Sequence, residues 1–178
     1  MELVLVERRF SRPTRFEDIQ ALEDEGAWCL KAHGVRFLRT FFSRDGKRML
    51  CLYEAPDAEA VRLAETQARV PFDNVWTCAR LHSDRPAVEV SAPEVVIVER
   101  AFPESVVTEA ISGAMKRISG CLEIHRSTYV ESFIRKDGMA MVCVFRAPDA
   151  EAVRMANREA GMPFTDAWTA SVFEAEDA

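Results

Sequence analysis

The chain has 178 residues, with 23 Lys plus Arg against 29 Asp plus Glu, a net charge of −6 and a pI near 5.2. Hydrophobic residues make up 48% and charged residues 29%, a globular balance that excludes disorder. The acidic balance, with no basic run, argues against nucleic acid and an anionic membrane surface as partners. No apolar stretch approaches the ~18 residues of a membrane span.

Residues 3–10 (LVLVERRF) read as a strand, short and β-branched before its charged end. The segment is too short for a signal h-region, and Glu2 stands where a basic n-region belongs, so the expected location is the cytoplasm. Residues 15–33 read as a helix, with Phe16, Ile19, Leu22, Gly26, Leu30 and His33 at helical spacing and Gly34 as its stop. The aromatic-rich segment 35–42 is a second strand. Ser43-Arg44-Asp45-Gly46 turns it back into a third at 48–54. Asp57 caps a helix at 58–69, Pro71 follows it, and 74–81 is a fourth strand. The order β-α-β-β-α-β is the ferredoxin-like pattern.

The same order then repeats. VERRF at 6–10 returns as VERAF at 98–102, and RDGKRMLCLYEAPDAEAVR at 44–62 as KDGMAMVCVFRAPDAEAVR at 136–154. VPFDNVWT at 70–77 returns as MPFTDAWT at 162–169. The offset is 92 throughout, without a gap, and about 30 of 80 aligned positions are identical. A period this long is a duplicated domain. The expected division is 1–82 for the first repeat, a Pro- and charge-rich linker at 83–93, and 94–178 for the second.

The strands do not alternate cleanly. Leu3 to Val6, Met49 to Tyr53 and Val95 to Val98 are continuous apolar runs. Both faces of each sheet are therefore expected to be covered. The expected fold is α+β: two tandem ferredoxin-like repeats, their antiparallel sheets face to face as a pseudo-dimeric α+β barrel. The repeats pair within one chain, and further homodimerisation stays open.

The candidate functional residues come from positions shared by the repeats. Cys29 with His33 and Cys121 with His125 form C-x-x-x-H, in which thiolate and imidazole share a helix face and could clamp a metal ion. Glu7 and Glu99 sit at equivalent strand ends, where a carboxylate can serve as base or ligand. Tyr53, Trp76 and Trp168 could line a ligand pocket between sheets or fill the core. The five cysteines are an odd set with no C-x-x-C and no two closer than 22 positions, which points to reduced thiols. No P-loop, nucleophile elbow, G-x-G-x-x-G or H-E-x-x-H occurs.

The strand VERRF, the stretch AHGVRFLRTFFSRDGKRMLCLYEAPDAEAVR and the following VPFDNVW resemble a bacterial family of small nickel-binding-protein-like domains of unknown function. The second repeat shares the resemblance through VERAF, CVFRAPDAEAVR and MPFTDAW. The resemblance implies a ferredoxin-like fold and a small ligand- or metal-binding protein, with nickel as the metal. Nickel-binding members carry histidines in and just after the second helix and near the end of the first strand. Here those positions are Glu65, Val70 and Glu7, and in the second repeat Asn157, Met162 and Glu99. The expected function is a non-enzymatic cytoplasmic module that binds a small molecule or metal ion. The alternatives are a small-molecule enzyme of the α+β barrel type, monooxygenase- or isomerase-like, and a scaffold that recruits a partner.

Overall fold

The computed structural model describes residues 1–82 and 94–175, so the expected linker at 83–93 lies outside the described residues. The first repeat folds as β1 (Glu2–Arg9), α1 (Phe16–Ala32), β2 (Arg36–Ser43), β3 (Arg48–Ala55), α2 (Ala58–Ala68) and β4 (Asn74–His82). The second folds as β5 (Glu94–Ala101), α3 (Thr108–Ile124), β6 (Thr128–Arg135), β7 (Ala140–Arg146), α4 (Ala150–Glu159) and β8 (Asp166–Glu174). Each element falls within a residue or two of its expected place, because its start and stop signals are local. Asp57 accepts from the Ala60 amide and Asp149 from the Ala152 amide, the expected helix caps. Gly46 and Gly138 take the left-handed conformation that the two hairpins require (φ +69 and +70).

In the first repeat β1 lies between β3 and β4, antiparallel to both, and β3 also pairs with β2. In the second, β7 lies between β5 and β6. The hydrogen-bonded strand order is β1-β3-β2-β8-β5-β7-β6-β4, which closes as an antiparallel barrel. This is the expected fold class. Two compact units divide the chain: residues 1–78 with the end of β8 from residue 171, and the described residues between 79 and 170.

In the first unit, Val4, Val6, Met49, Cys51 and Tyr53 face a core shared with Ile19, Cys29, Val61 and Ala64 of the helices. Their strand neighbours Leu5, Leu50 and Leu52 point the other way and are also buried, so both sheet faces are covered as expected. The second unit repeats the arrangement, with Val96, Val98, Met141, Cys143 and Phe145 under Ile111, Met115, Ile118 and Val153.

Two departures matter for the site. Leu22, expected on the buried stripe of α1, is 39% exposed, while Glu23 beside it turns inward to a side-chain exposure of 14%. A β-bulge interrupts the pairing between Phe37 and Arg39, and again between Tyr129 and Glu131. A bulge re-aims the side chains around it.

Candidate functional site

Alternation along β1 sends Glu7 and Arg8 to opposite faces of the sheet. On the face away from the helices, Trp76 Nε1 donates to Glu7 Oε1 at 2.7 Å, and Asn74 Nδ2 donates to Glu7 Oε2 at 3.0 Å. The second repeat matches it, with Trp168 Nε1 donating to Glu99 Oε1 at 2.8 Å. The structure thus brings together four expected site residues as two carboxylate–tryptophan pairs.

Arg8 occupies the helix-facing side and is 1% exposed. Its Nη2 lies 2.7 Å from Glu65 Oε2 and 3.4 Å from Glu23 Oε1. Nη1 donates to Cys51 Sγ at 2.8 Å and Nε to the Pro71 carbonyl at 2.9 Å. Tyr53 Oη donates to the other oxygen of Glu65 at 2.9 Å. Tyr53 therefore serves a buried ionic cluster beneath the helices and does not line a space on the other face. Burial opposes the charge of Arg8, but the groups around it, the carboxylates of Glu65 and Glu23 among them, outweigh burial and hold its pKa well above the ordinary value. Burial pushes Glu23 up to about 7 despite the pull of Arg8. Burial likewise pushes the Cys51 thiol up to about 12, so it is a neutral thiol.

The second repeat keeps the arginine and loses the acids. Arg100, 2% exposed, donates from Nη2 to Asn157 Oδ1 at 2.6 Å, from Nη1 to the Pro163 carbonyl at 2.5 Å, and from Nε to Cys143 Sγ at 3.5 Å. Met115 stands where Glu23 does, Asn157 where Glu65 does and Phe145 where Tyr53 does. Sequence reasoning missed this cluster. The signal was these three paired differences at one offset, each replacing an ionisable residue by an uncharged one.

The second unit also holds a cavity of about 280 Å³ between α3 and the start of β6, with the end of β4 at its edge. Leu81, Ile111, Met115 and Leu122 form its apolar wall. Ser127, Thr128 and Tyr129 supply hydroxyls, and the exposed Lys116 and Glu123 add charge. The Tyr129 hydroxyl donates to the Leu81 carbonyl at 3.3 Å, and burial raises its pKa well above the usual tyrosine range. Phe173, the counterpart of Leu81, stacks on Phe16 with centroids 3.7 Å apart.

The two C-x-x-x-H pairs are each turned elsewhere. Cys29 is buried in the helix–sheet core, and His33 Nε2 meets Gln67 Oε1 at 2.9 Å. His125 Nε2 meets Glu159 Oε2 at 2.9 Å, and Cys121 packs against the second unit's core. Among the described residues no group of three or more His, Cys, Asp or Glu is arranged to hold a metal ion. No helix of the described residues is long and apolar enough to cross a membrane.

A model of the nickel responsive protein SCO4226-like family matches residues 5–77 and again residues 97–169. The crystal structure of SCO4226 from Streptomyces coelicolor A3(2) aligns at 19% identity over 41% of this chain and 90% of its own, with a TM-score of 0.38. A chlorite dismutase from Candidatus Nitrospira defluvii, in complex with cyanide, aligns over 96% of this chain and 89% of its own at 10% identity, with a TM-score of 0.51. A protein provisionally named chlorite dismutase, TA0507, aligns over 98% and 96% at 12% identity, with a TM-score of 0.51. No curated protein matches the sequence.

These findings correct the expected function. The two structures that match nearly the whole chain at a TM-score of 0.51 bear chlorite dismutase names, so the non-enzymatic binding module is withdrawn as the main reading; at 10% and 12% identity they show the fold of this chain alone. They also call for a test of nickel against the residues present. Both oxygens of Glu65 are taken by Arg8 and Tyr53, and Asn157 is taken by Arg100. A fixed guanidinium repels a second cation at that spot. Val70 and Met162 offer no nitrogen or oxygen donor, and Glu7 and Glu99 lie on the opposite sheet face, each held by a tryptophan. The residues at these positions do not fit a nickel ion. By the two consecutive matches that span most of its length, the chain belongs to the nickel responsive protein SCO4226-like family, as a tandem duplication of that family's domain.

Proposed function

We propose that the chain is a small-molecule enzyme of the α+β barrel type, monooxygenase- or isomerase-like, working in the cytoplasm with its substrate in the cavity beside α3. The repeats at 1–82 and 94–178, joined by a linker at 83–93, make the two halves of one barrel within a single chain. The observation that carries this reading is the cavity itself: a concave site of about 280 Å³ with an apolar wall, lined also by Ser127, Thr128 and Tyr129. Tyr129 keeps its proton at neutral pH, and its present bond to the Leu81 carbonyl is long enough to be exchanged for a substrate oxygen. A neutral O–H aimed at a carbonyl or phenolate oxygen stabilises charge that builds there during proton abstraction or attack by oxygen. The enzyme names carried by full-length structures of this fold support the reading.

The test uses the purified full chain and a panel of small aromatic ketones, phenols and carboxylic acids. Oxygen uptake that turns an activated ring CH2 of the substrate into a carbonyl, one oxygen atom entering the product while its two hydrogens leave with the other as water, identifies a monooxygenase that draws both electrons from the substrate itself. Deuterium incorporation from heavy water without oxygen uptake identifies an isomerase. Tyr129→Phe is expected to lower turnover about a hundredfold while leaving the fold intact. Ser112→Trp, at the cavity wall, is expected to block binding. Absence of both binding and turnover across the panel overturns the proposal.

A further inference from the structure

The two buried arginines occupy equivalent places with unequal compensation. Arg8 has two carboxylates, Glu65 and Glu23, within 3.4 Å. Arg100 is as deeply buried, and its partners among the described residues are an amide oxygen, a peptide carbonyl and a sulfur. Buried charges are normally paired, because a charge removed from water without a counter-charge is costly. Carbonyl and amide dipoles solvate the guanidinium but leave its full charge in place.

The cavity is lined by the counterpart of one of the two acids that pair with Arg8. Met115 lines it, and Met115 occupies the helix position at which Glu23 directs its carboxylate to Arg8. Helices α1 and α3 span matching residues at the offset of 92, so the correspondence is position for position. Met115 thus takes the place from which Glu23 reaches its arginine, and its unbranched, flexible thioether turns aside at little cost. The first repeat places Phe173, stacked on Phe16, at the position of Leu81 and carries its own acids. The second carries neither.

We infer that the cavity of the second repeat takes a small apolar molecule bearing a carboxylate, whose negative charge serves Arg100 as Glu65 and Glu23 serve Arg8. The apolar body rests on Leu81, Ile111 and Leu122, and the carboxylate enters past Met115. The inference rests on the reading of this cavity as the substrate site and adds the charge class of its occupant. It also makes the chain asymmetric, with one ligand for two repeats.

The experiment compares 2-naphthoate with its neutral, near-isosteric amide by calorimetric titration of the full chain. The acid is expected to bind at least tenfold more tightly. Asn157→Glu recreates the Arg8–Glu65 pair around Arg100 and is expected to fold with an unchanged or higher melting temperature. In that variant the preference for the acid is expected to vanish, while binding of the amide stays within about twofold. Asn157→Gln, which adds no charge, is expected to keep the preference. Equal binding of acid and amide, or a preference that survives in Asn157→Glu, overturns the carboxylate inference and leaves the cavity reading standing. Failure of both compounds to bind overturns both.

Discussion

The guanidinium of Arg8 lies 2.7 Å from the carboxylate of Glu65, at a depth where neither group reaches water. The two residues are 57 positions apart, one at the end of the first strand and the other on the inner side of the second helix. Their pairing ties α2 to the sheet, and Tyr53 closes it from below.

Breaking one side of that pair leaves a buried charge without compensation. Glu65→Ala is expected to destabilise the chain by about 3 to 5 kcal/mol, read from urea denaturation at neutral pH. Asn157→Ala in the second repeat breaks a bond to the arginine but strands no carboxylate, and a smaller loss, about 1.5 to 3 kcal/mol, is expected.

Glu23 links stability to pH. Its folded pKa of about 7 lies above the ordinary 4.5, so between these values the folded chain holds a proton that the unfolded chain has released. Its contribution is fully present below pH 4.5, falls as pH rises, and is lost above about 7. Asp24 and Glu65 oppose ionisation of Glu23, whereas Arg8 favours it. Across this window stability should fall by up to about 3 kcal/mol. Glu23→Gln is expected to flatten the slope between pH 5 and 8 in urea titrations, and an unaltered slope would reassign the proton to another group.

The carboxylate–tryptophan pairs hold the last strand of each repeat to the first. Trp76→Phe and Trp168→Phe keep the ring area and remove the N–H, leaving Glu7 and Glu99 one donor short. Each is expected to cost about 1.5 kcal/mol, measured as a drop in unfolding midpoint with an unchanged denaturant slope.

Nickel offers a separate check. Because Arg8 and Arg100 hold the second-helix positions, chelator treatment should leave the melting temperature unchanged, and nickel titration should give no stoichiometric heat. Saturable binding of one nickel ion per repeat would show that the arginines move out of these positions.

The helix caps give a control of known size. Asp57→Ala and Asp149→Ala each remove an acceptor from a helix N-terminus and are expected to cost about 1 kcal/mol apiece. Equal losses would show that the two repeats unfold as one cooperative body, whereas two separated transitions would show that they do not.

Much of the architecture was legible because its determinants are local or periodic. The duplication shows as identity at a fixed offset, the hairpins as Asp-Gly at Gly46 and Gly138, and the second helices as Ala-Pro-Asp before an apolar stripe. The continuous apolar strands announced that both sheet faces are buried, since Val4 and Leu5 go to opposite sides and neither meets water. Of the candidate site residues, Glu7 meets Trp76 and Glu99 meets Trp168, because strand position and side-chain alternation together decide which residues share a face.

The ionic cluster and the cavity lay beyond such reasoning. Glu23 reads as one of several acids on a charged helix beside an apolar Leu22, and only the packing of that helix on the sheet turns Glu23 inward and Leu22 out. The cavity is defined by missing volume, where Leu81 stands in place of Phe173, and volume is a property of side chains brought together from distant parts of the chain.

The length of 178 residues therefore resolves, from sequence alone, into two copies of one β-α-β-β-α-β unit with caps, turns and strands in place, since each is set by neighbours within a few positions. Tertiary structure decided which arginine is neutralised and which repeat keeps an open space. Both outcomes depend on desolvation and close packing, which exist only once residues far apart in the chain exclude water from one another.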